Sequence, residues 1–408
     1  MPNYVGDRSL VASTNSLSIR FISPSGSGDG NGTSEQNAGV LTDLPAFVKA
    51  VGPGGEVRLL GGTYSQNGSI SIDSGGIQGQ PITIRGADAQ GNETTIPLIT
   101  GSRSNPYQPP PQGKTGRSLF KLLPGANHLV IRNIHCMNQG NGCIVFAGTS
   151  GDITIEQIKG TNVQRLIEHR PDPSQPNASW ELANVTIRES EIHGYSKGAF
   201  RFGKPSPDNQ ADAHDLLIEN IIGDSERQDG DDFCMGIHLR GDVHHAIVRR
   251  TTMSNCQQTL SSDKYWNGDG FTAEAGVSDL QFEDTRAVGN TDGGYDIKAA
   301  NVIMLRTYAA DNKRNFRFWS SIDVQESIGE EPHCRGGIGC QSQVYAGKGA
   351  EAVLTNCSFR STNPSTHVFQ SEHGGKVTMN GGMIDQNGTL IHSDSKENVI
   401  TLNQVVLK

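Results

Sequence analysis

Two short stretches hold the residues best suited to chemistry. Asn267-Gly268-Asp269-Gly270-Phe271 and Asn290-Thr291-Asp292-Gly293-Gly294-Tyr295-Asp296 present three carboxylates at turns of the same kind. Carboxylates gathered without an equal number of cations repel one another unless a metal compensates. Hard oxygen donors at a flexible turn favour Ca2+, which takes about 6 to 8 oxygen ligands. Asp269, Asp292 and Asp296 are therefore the expected calcium ligands. The plainer reading is turn chemistry, in which the aspartate of Asn-Gly-Asp-Gly closes an Asx turn. A second acidic run, Asp229-Gly230-Asp231-Asp232, either extends the site or forms a solvated turn.

Two such turns become neighbours only if the chain repeats, and it does. A polar residue followed by alternating apolar and polar residues recurs with starts at His128, Asp152, Asn184, Asp215, His245, Asp279, Asn301, Glu351, Lys376 and Asn398. The shortest intervals, Asp279 to Asn301 and Lys376 to Asn398, are 22 residues, which reads as a fixed coil length to which loops are added. The period of 2 within each unit means strand. Strands this short, one per turn of a coil, pair in parallel when coils stack and bury a narrow apolar column. The expected fold is all-β, a right-handed parallel β-helix forming a single domain over residues 1–408.

Residues from about 20 to 55 are expected to give an N-terminal strand and a helix that covers the open end of the solenoid, with Leu44, Phe47, Val48 and Val51 on its apolar face. Val57 to Tyr64 and Ile82 to Arg85 read as the strands of the first coil. Loops are expected at 101–118, from Arg170 to Ser179, and as an insertion at about 320–350 within the long interval from Asn301 to Glu351.

Composition agrees with a thin core and many corners. Of 408 residues 50 are glycine and only 34% are hydrophobic, and glycine is what sharp corners favour. The net charge of −9 is too small for disorder. The absence of a basic stripe argues against nucleic acid, and no apolar run reaches the ~18 residues of a membrane span.

Side chains alternate across a strand, so successive coils can be aligned by their inward residues Phe200, Ile237, Phe271, Tyr295 and Phe316. The outward column beside them is then Arg201, His238, Thr272, Asp296 and Arg317. A second outward set is Arg240, Glu274, Lys298 and Trp319. Charges of both signs, a histidine and a tryptophan on one ridge suit an extended charged polymer, with Arg201, Arg240, Glu274 and Trp319 as substrate contacts.

These residues resemble family 9 pectate lyases and related β-helix polysaccharide lyases. That pattern has an Asp-Gly-Phe turn, then Asp-Asp-Gly-x-Asp one coil later, then a catalytic lysine after a phenylalanine. Asp269, Asp292 and Asp296 match calcium aspartates; Gly293 stands in place of a further aspartate, and Arg317 in place of the lysine. The resemblance implies calcium-assisted β-elimination on a uronate polymer, with Arg317 as the base carried over. Arginine is a poor base because its pKa exceeds ~12, so Lys298 or His238 is the alternative proton acceptor, with Arg317 pairing to the substrate carboxylate. Hydrolysis, uronate C5-epimerisation and non-catalytic binding remain open on the same fold.

The seven cysteines include Cys334 and Cys340, expected to staple the long insertion, and Cys136 and Cys143, expected to close a turn or to pack in the core. Two such bridges imply an oxidising compartment. Met1-Pro2-Asn3-Tyr4-Val5 has no basic or apolar leader. The expectation is a monomer, secreted or periplasmic, whose signal peptide is not part of this chain and whose partner is an acidic polysaccharide.

Overall fold

The structure, a computed structural model, describes residues 17–170, 181–203, 212–231, 233–260 and 264–408. The Met1–Val5 segment, Asp232 and all but the first residue of the excursion from Arg170 to Ser179 lie outside the described residues.

The repeating motif begins at a corner. His128, Asp152, Asn184, Asp215, His245, Asp279 and Asn301 all have φ between 49 and 57°. A side chain in this left-handed region costs about 1–2 kcal/mol, least for Asn and Asp, which hydrogen-bond locally. In these seven coils the polar first position of the motif is thus a left-handed bend; before the Glu351 and Lys376 strands that conformation falls on Lys348 and His373 instead.

Stacked coils give a right-handed parallel β-helix. One face is a 12-stranded parallel sheet, and the remaining strands join into a second sheet of 23. Long strands turn the corner between faces: Leu129–Met137 pairs with Ile82–Gly86 along its first half and with Leu98–Thr100 along its second. The core is a set of like-on-like columns. Phe271, Tyr295 and Phe316 stack at centroid distances of 4.9 and 5.4 Å and within 9° of parallel. Burying each such ring contributes about 1.5–3 kcal/mol.

The N-terminal expectation holds: strand Ile19–Ile22 pairs with Glu56–Leu59, and helix Leu44–Val51 buries Leu44, Phe47, Val48 and Val51. Proline in the first turn starts this helix and Gly52, at φ 68°, ends it. Glu56–Leu59 and Ile82–Gly86 pair with each other in register, so they belong to successive coils and not to one.

The insertion at 320–350 also needs correction. Ile322–Gln325 pairs with Val302 through Leu305 on one side and with Ala352 through Thr355 on the other, and Ile328–Glu330 continues the same coil. The long interval hides a whole coil whose motif start, Ser320-Ser321, lacks the usual corner residue. Only the stretch from about 331 to 341 is a loop.

All seven cysteines are free thiols. Within that loop, Cys334 Sγ faces the carbonyls of Gly336 and Gly339 at 3.5 and 3.9 Å. The loop is held instead by a neighbouring one: Ile338 N donates to Lys264 O at 3.1 Å, and Trp266 packs so closely on Gly336 that a Cβ there would fall 2.3 Å from its ring. Cys136 and Cys143 are core residues. The expected bridges are absent, and the compartment argument built on them falls away.

Candidate active site

Strand register sets the outward column of the 12-stranded sheet. Arg201, His238, Thr272, Asp296 and Arg317 are successive partners. The column extends to Glu168 before Arg201 and to Tyr345 and Gln370 after Arg317. Arg240, Glu274, Lys298 and Trp319 form the second set, each donating its backbone N–H to the preceding coil, at 3.1, 2.9, 2.7 and 2.9 Å.

The three aspartates do converge, and all are buried. Asp269 accepts the Gly293 N–H at 2.7 Å and faces the Thr272 hydroxyl at 3.4 Å. Burial, then Asp292 and Asp296, push its carboxyl well above the usual range. Asp292 accepts from the Tyr265 hydroxyl, which lies 2.7 and 2.6 Å from its two oxygens. It also faces Arg314 Nη1 at 3.3 Å and Arg317 Nη1 at 3.0 Å. Asp296 accepts from Trp319 Nε1 at 2.7 Å and Lys298 Nζ at 3.3 Å, with Arg317 Nη1 at 3.6 Å.

That arrangement does not fit calcium. The oxygens of Asp292 and Asp296 are turned onto guanidinium, phenol, indole and ammonium donors, those of Asp269 onto a backbone N–H and a hydroxyl, and among the described residues no group of three or more carboxylate, imidazole or thiol side chains is placed to hold a metal ion. The position of the missing aspartate is closed as well, since a Cβ on Gly293 would lie 2.9 Å from Asp269 Oδ1. The convergence of Asp269, Asp292 and Asp296 expected from sequence is present; the calcium cage expected from it is not.

Of the three base candidates, two are held as cations. Burial works to lower the Arg317 pKa, but Asp292 and Asp296 outweigh it and raise it above the ordinary value. Lys298 is likewise raised: burial opposes, Asp296 and Glu274 prevail, and its Nζ lies 2.8 Å from Glu274 Oε2. His238 goes the other way. Burial lowers its pKa, Arg240 and Arg201 add to that, and Glu274 only partly opposes. Its Nε2 is 3.8 Å from Glu274 Oε1, too far for a hydrogen bond, and has no other partner among the described residues. Arg317 and Lys298 are thus paired with carboxylates that favour their charged forms, whereas burial favours the uncharged form of His238, whose Nε2 is buried without a hydrogen-bond partner among the described residues.

Beside His238 the charge is positive. Arg165, Arg201 and Arg240 crowd one carboxylate, Glu168, which pairs with Arg201 and lies 3.4 Å from Arg165. Burial and Arg165 pull the Arg201 guanidinium down to about 9, with Glu168 opposing. Burial lowers Arg165 and Arg240 too. Arg240 donates from Nε to the Gly203 carbonyl at 3.1 Å and makes no ion pair among the described residues. Buried polar atoms without a partner recur along this face, on Glu168, Arg201, His238, Arg314, Arg317 and Gln370. Unsatisfied polar atoms gathered on one ridge suit a polar ligand.

Trp319 differs from expectation. Its indole nitrogen is spent on Asp296, and Arg317 Cζ and Lys348 Nζ approach its ring at 4.7 and 5.2 Å. It positions the acidic cluster before it offers a sugar platform. Asp229 and Asp231 also serve structure: Asp229 accepts from the Thr259 N–H and hydroxyl at 2.7 and 2.6 Å, and Asp231 accepts from Gln164 at 3.1 Å and from the Ser196 hydroxyl.

Sequence reasoning missed Tyr265, Arg314, Glu168 and the fully buried Lys313, whose ammonium sits 4.4 Å above the Tyr265 ring. Lys313-Arg314 stands just ahead of Phe316-Arg317, a cationic run that mirrors the acidic turn one coil earlier and was the available signal. Nothing in the local pattern marks Tyr265.

No family model matches the chain, and no curated protein matches it. Solved structures share its fold at low identity. The catalytic domain of a GH87 alpha-1,3-glucanase in complex with tetrasaccharides aligns with a TM-score of 0.54 at 11% identity, over 97% of this chain and 70% of that one. The pectate lyase Pel9A aligns at 0.53 and 13%, over 94% and 80%. The A-module of the Azotobacter vinelandii mannuronan C-5 epimerase AlgE6 aligns at 0.51 and 12%, over 90% and 94%. At this identity the likeness establishes the parallel β-helix and nothing finer.

Proposed function

We propose that this chain is a secreted or periplasmic polysaccharide lyase that cleaves a uronate polymer by β-elimination, with His238 as the base. The observation that carries this reading is the place of His238, in register beside Arg201 and near Arg240, with no hydrogen-bond partner for Nε2 among the described residues and with burial lowering its pKa. The C5 proton of a uronate is weakly acidic because it lies α to a carboxylate, so elimination needs both a base at C5 and positive charge at the carboxylate. Arg240, which makes no ion pair among the described residues, receives the substrate carboxylate with Arg201 beside it. The His238 imidazole takes the C5 proton, the C5 electron pair forms the C4–C5 double bond, and the C4–O4 bond breaks. The leaving O4 takes up a proton.

Hydrolysis is the weaker reading. It needs two carboxylates about 5 to 9.5 Å apart that reach the glycosidic bond, and here Asp269, Asp292 and Asp296 are buried and engaged.

The test is incubation with a panel of uronate polymers, following the ultraviolet absorbance of a 4,5-unsaturated uronide. That absorbance is expected from at least one polymer and to disappear in His238→Ala. Reducing ends without it would overturn elimination in favour of hydrolysis, C5 inversion without chain cleavage would make the chain an epimerase, and no change in any polymer would make it a binder.

A further inference from the structure

The acidic cluster has its own internal cation. Arg317 reaches from one coil onto carboxylates of the coil before it, with Nη1 3.0 Å from Asp292 Oδ2 and 3.6 Å from Asp296 Oδ2. A single guanidinium nitrogen therefore stands between two of the three aspartates, both on the coil before it. The other oxygens are engaged as described above, by Tyr265, Arg314, Gly293 N–H, Trp319 and Lys298. Arg314, Arg317 and Lys298 stand against Asp292, Asp296 and Glu274, while Asp269, the fourth carboxyl, has no ion pair among the described residues and is pushed well above the usual range by burial and by Asp292 and Asp296.

We propose that Arg317 replaces a divalent cation in this cluster, so that the wild-type chain is built and works without calcium, and that removing the guanidinium creates a calcium site. A guanidinium is always charged and its donors are fixed in a planar fork, so it holds the carboxylates in one geometry at any calcium concentration. A lysine at the same position has a compact ammonium and cannot present that fork. Removal of the side chain leaves Asp292 with Arg314 and Tyr265 and Asp296 with Lys298 and Trp319, and opens beside both carboxylates the space the guanidinium filled, which a hard cation can take.

The experiment measures metal binding and stability, independently of activity. Wild type is titrated with calcium chloride, and with terbium chloride read by luminescence sensitised through Tyr265 and Trp319; thermal unfolding is followed in calcium and in chelator. For wild type the expectation is no saturable luminescence and the same melting temperature in both conditions. Arg317→Ala is expected to melt lower in chelator and to regain about 2 °C or more in calcium, with saturable terbium luminescence. Saturable binding to wild type overturns the proposal, and so does a folded Arg317→Ala that binds neither ion. If Arg317→Ala does not fold, Arg317→Gln keeps the bulk and is held to the same outcomes. This inference rests on the cluster and not on the lyase reading: a chain inactive on every uronate but indifferent to calcium would refute the function and leave this standing.

Discussion

His238 Nε2 stands 3.8 Å from Glu274 Oε1, close enough for the carboxylate to be felt and too far for a hydrogen bond. Lys298 Nζ, 2.8 Å from Glu274 Oε2, helps to hold that carboxyl below its ordinary value. Burial keeps the imidazole below its ordinary 6.5. A base must be deprotonated, so kcat/KM should rise as pH climbs through the lowered His238 pKa and level off by neutrality. The acid limb of the profile is expected to have its midpoint below 6.5. His238→Ala should lose about 10²–10⁴-fold in kcat with KM little changed. A midpoint above 6.5, or a variant that keeps its rate, would remove His238 as the base.

Arg240 tests the other half of the mechanism. Its guanidinium has no carboxylate partner among the described residues, so truncation leaves no orphaned anion behind and should cost little stability. Arg240→Ala is expected to melt within about 1 °C of wild type while kcat/KM falls by roughly 10²-fold or more. Arg240→Lys should recover only part of that, because an ammonium cannot bind a carboxylate through two parallel bonds. Full recovery with lysine would mean that charge alone is needed there.

How far the sequence reaches follows from which physics is local. The column Arg201, His238, Thr272, Asp296, Arg317 was legible because alternation and coil stacking depend only on period and spacing, and the register agrees residue for residue. The coil at Ile322–Gln325 was not, because the motif was recognised by its polar corner and Ser320-Ser321 supplies none. The aspartates were brought together as expected, but how Arg314 and Arg317 pair with them was not expected. Acidic residues announce a cation, but whether a metal or a guanidinium provides it depends on how Arg314 and Arg317 are aimed from the next coil. Tyr265 reaches Asp292 from a loop 27 residues away, a contact no spacing rule encodes.

Gly293 is one of the two positions, with Arg317, at which the chain departs from the pattern it resembles, and the packing there is tight. A Cβ there would stand 2.9 Å from Asp269 Oδ1, while the Gly293 N–H holds that same oxygen at 2.7 Å. The carboxyl cannot retreat without giving up its hydrogen bond. Gly293→Ala should therefore destabilise by about 1–3 kcal/mol through overpacking, measured by denaturant unfolding. A neutral result would show that the cluster is loose enough to admit another ligand.

The thiols give a separate check on how the coils are held. Cys136, Cys143, Cys234, Cys256 and Cys357 are buried, Cys334 is partly covered and Cys340 is exposed. Alkylation of the native protein, read by mass, should label Cys340 first and leave the five buried thiols unlabelled until the solenoid is unfolded. Reductant should not move the melting temperature. A reductant-dependent loss of stability would restore the staple between Cys334 and Cys340.

Asp292 separates an architectural cluster from one assembled around a ligand. Its side chain is fully buried, and it is the shared acceptor for Tyr265, Arg314 and Arg317. Taking away one member of a buried ion pair leaves the others desolvated and unpaired, which costs about 3–5 kcal/mol. Asp292→Ala should pay that cost in full, because Arg314 and Arg317 cannot both turn to solvent: their side chains are only 7% and 16% exposed. Asp292→Asn keeps the shape and one acceptor oxygen but removes the charge, and should fall between wild type and alanine. The two are compared by urea unfolding in chelator, where no metal can contribute. If both variants are as stable as wild type, the guanidinium does not neutralise the cluster, and the aspartates must be held apart by something that the arrangement of Arg314, Arg317 and Tyr265 does not supply.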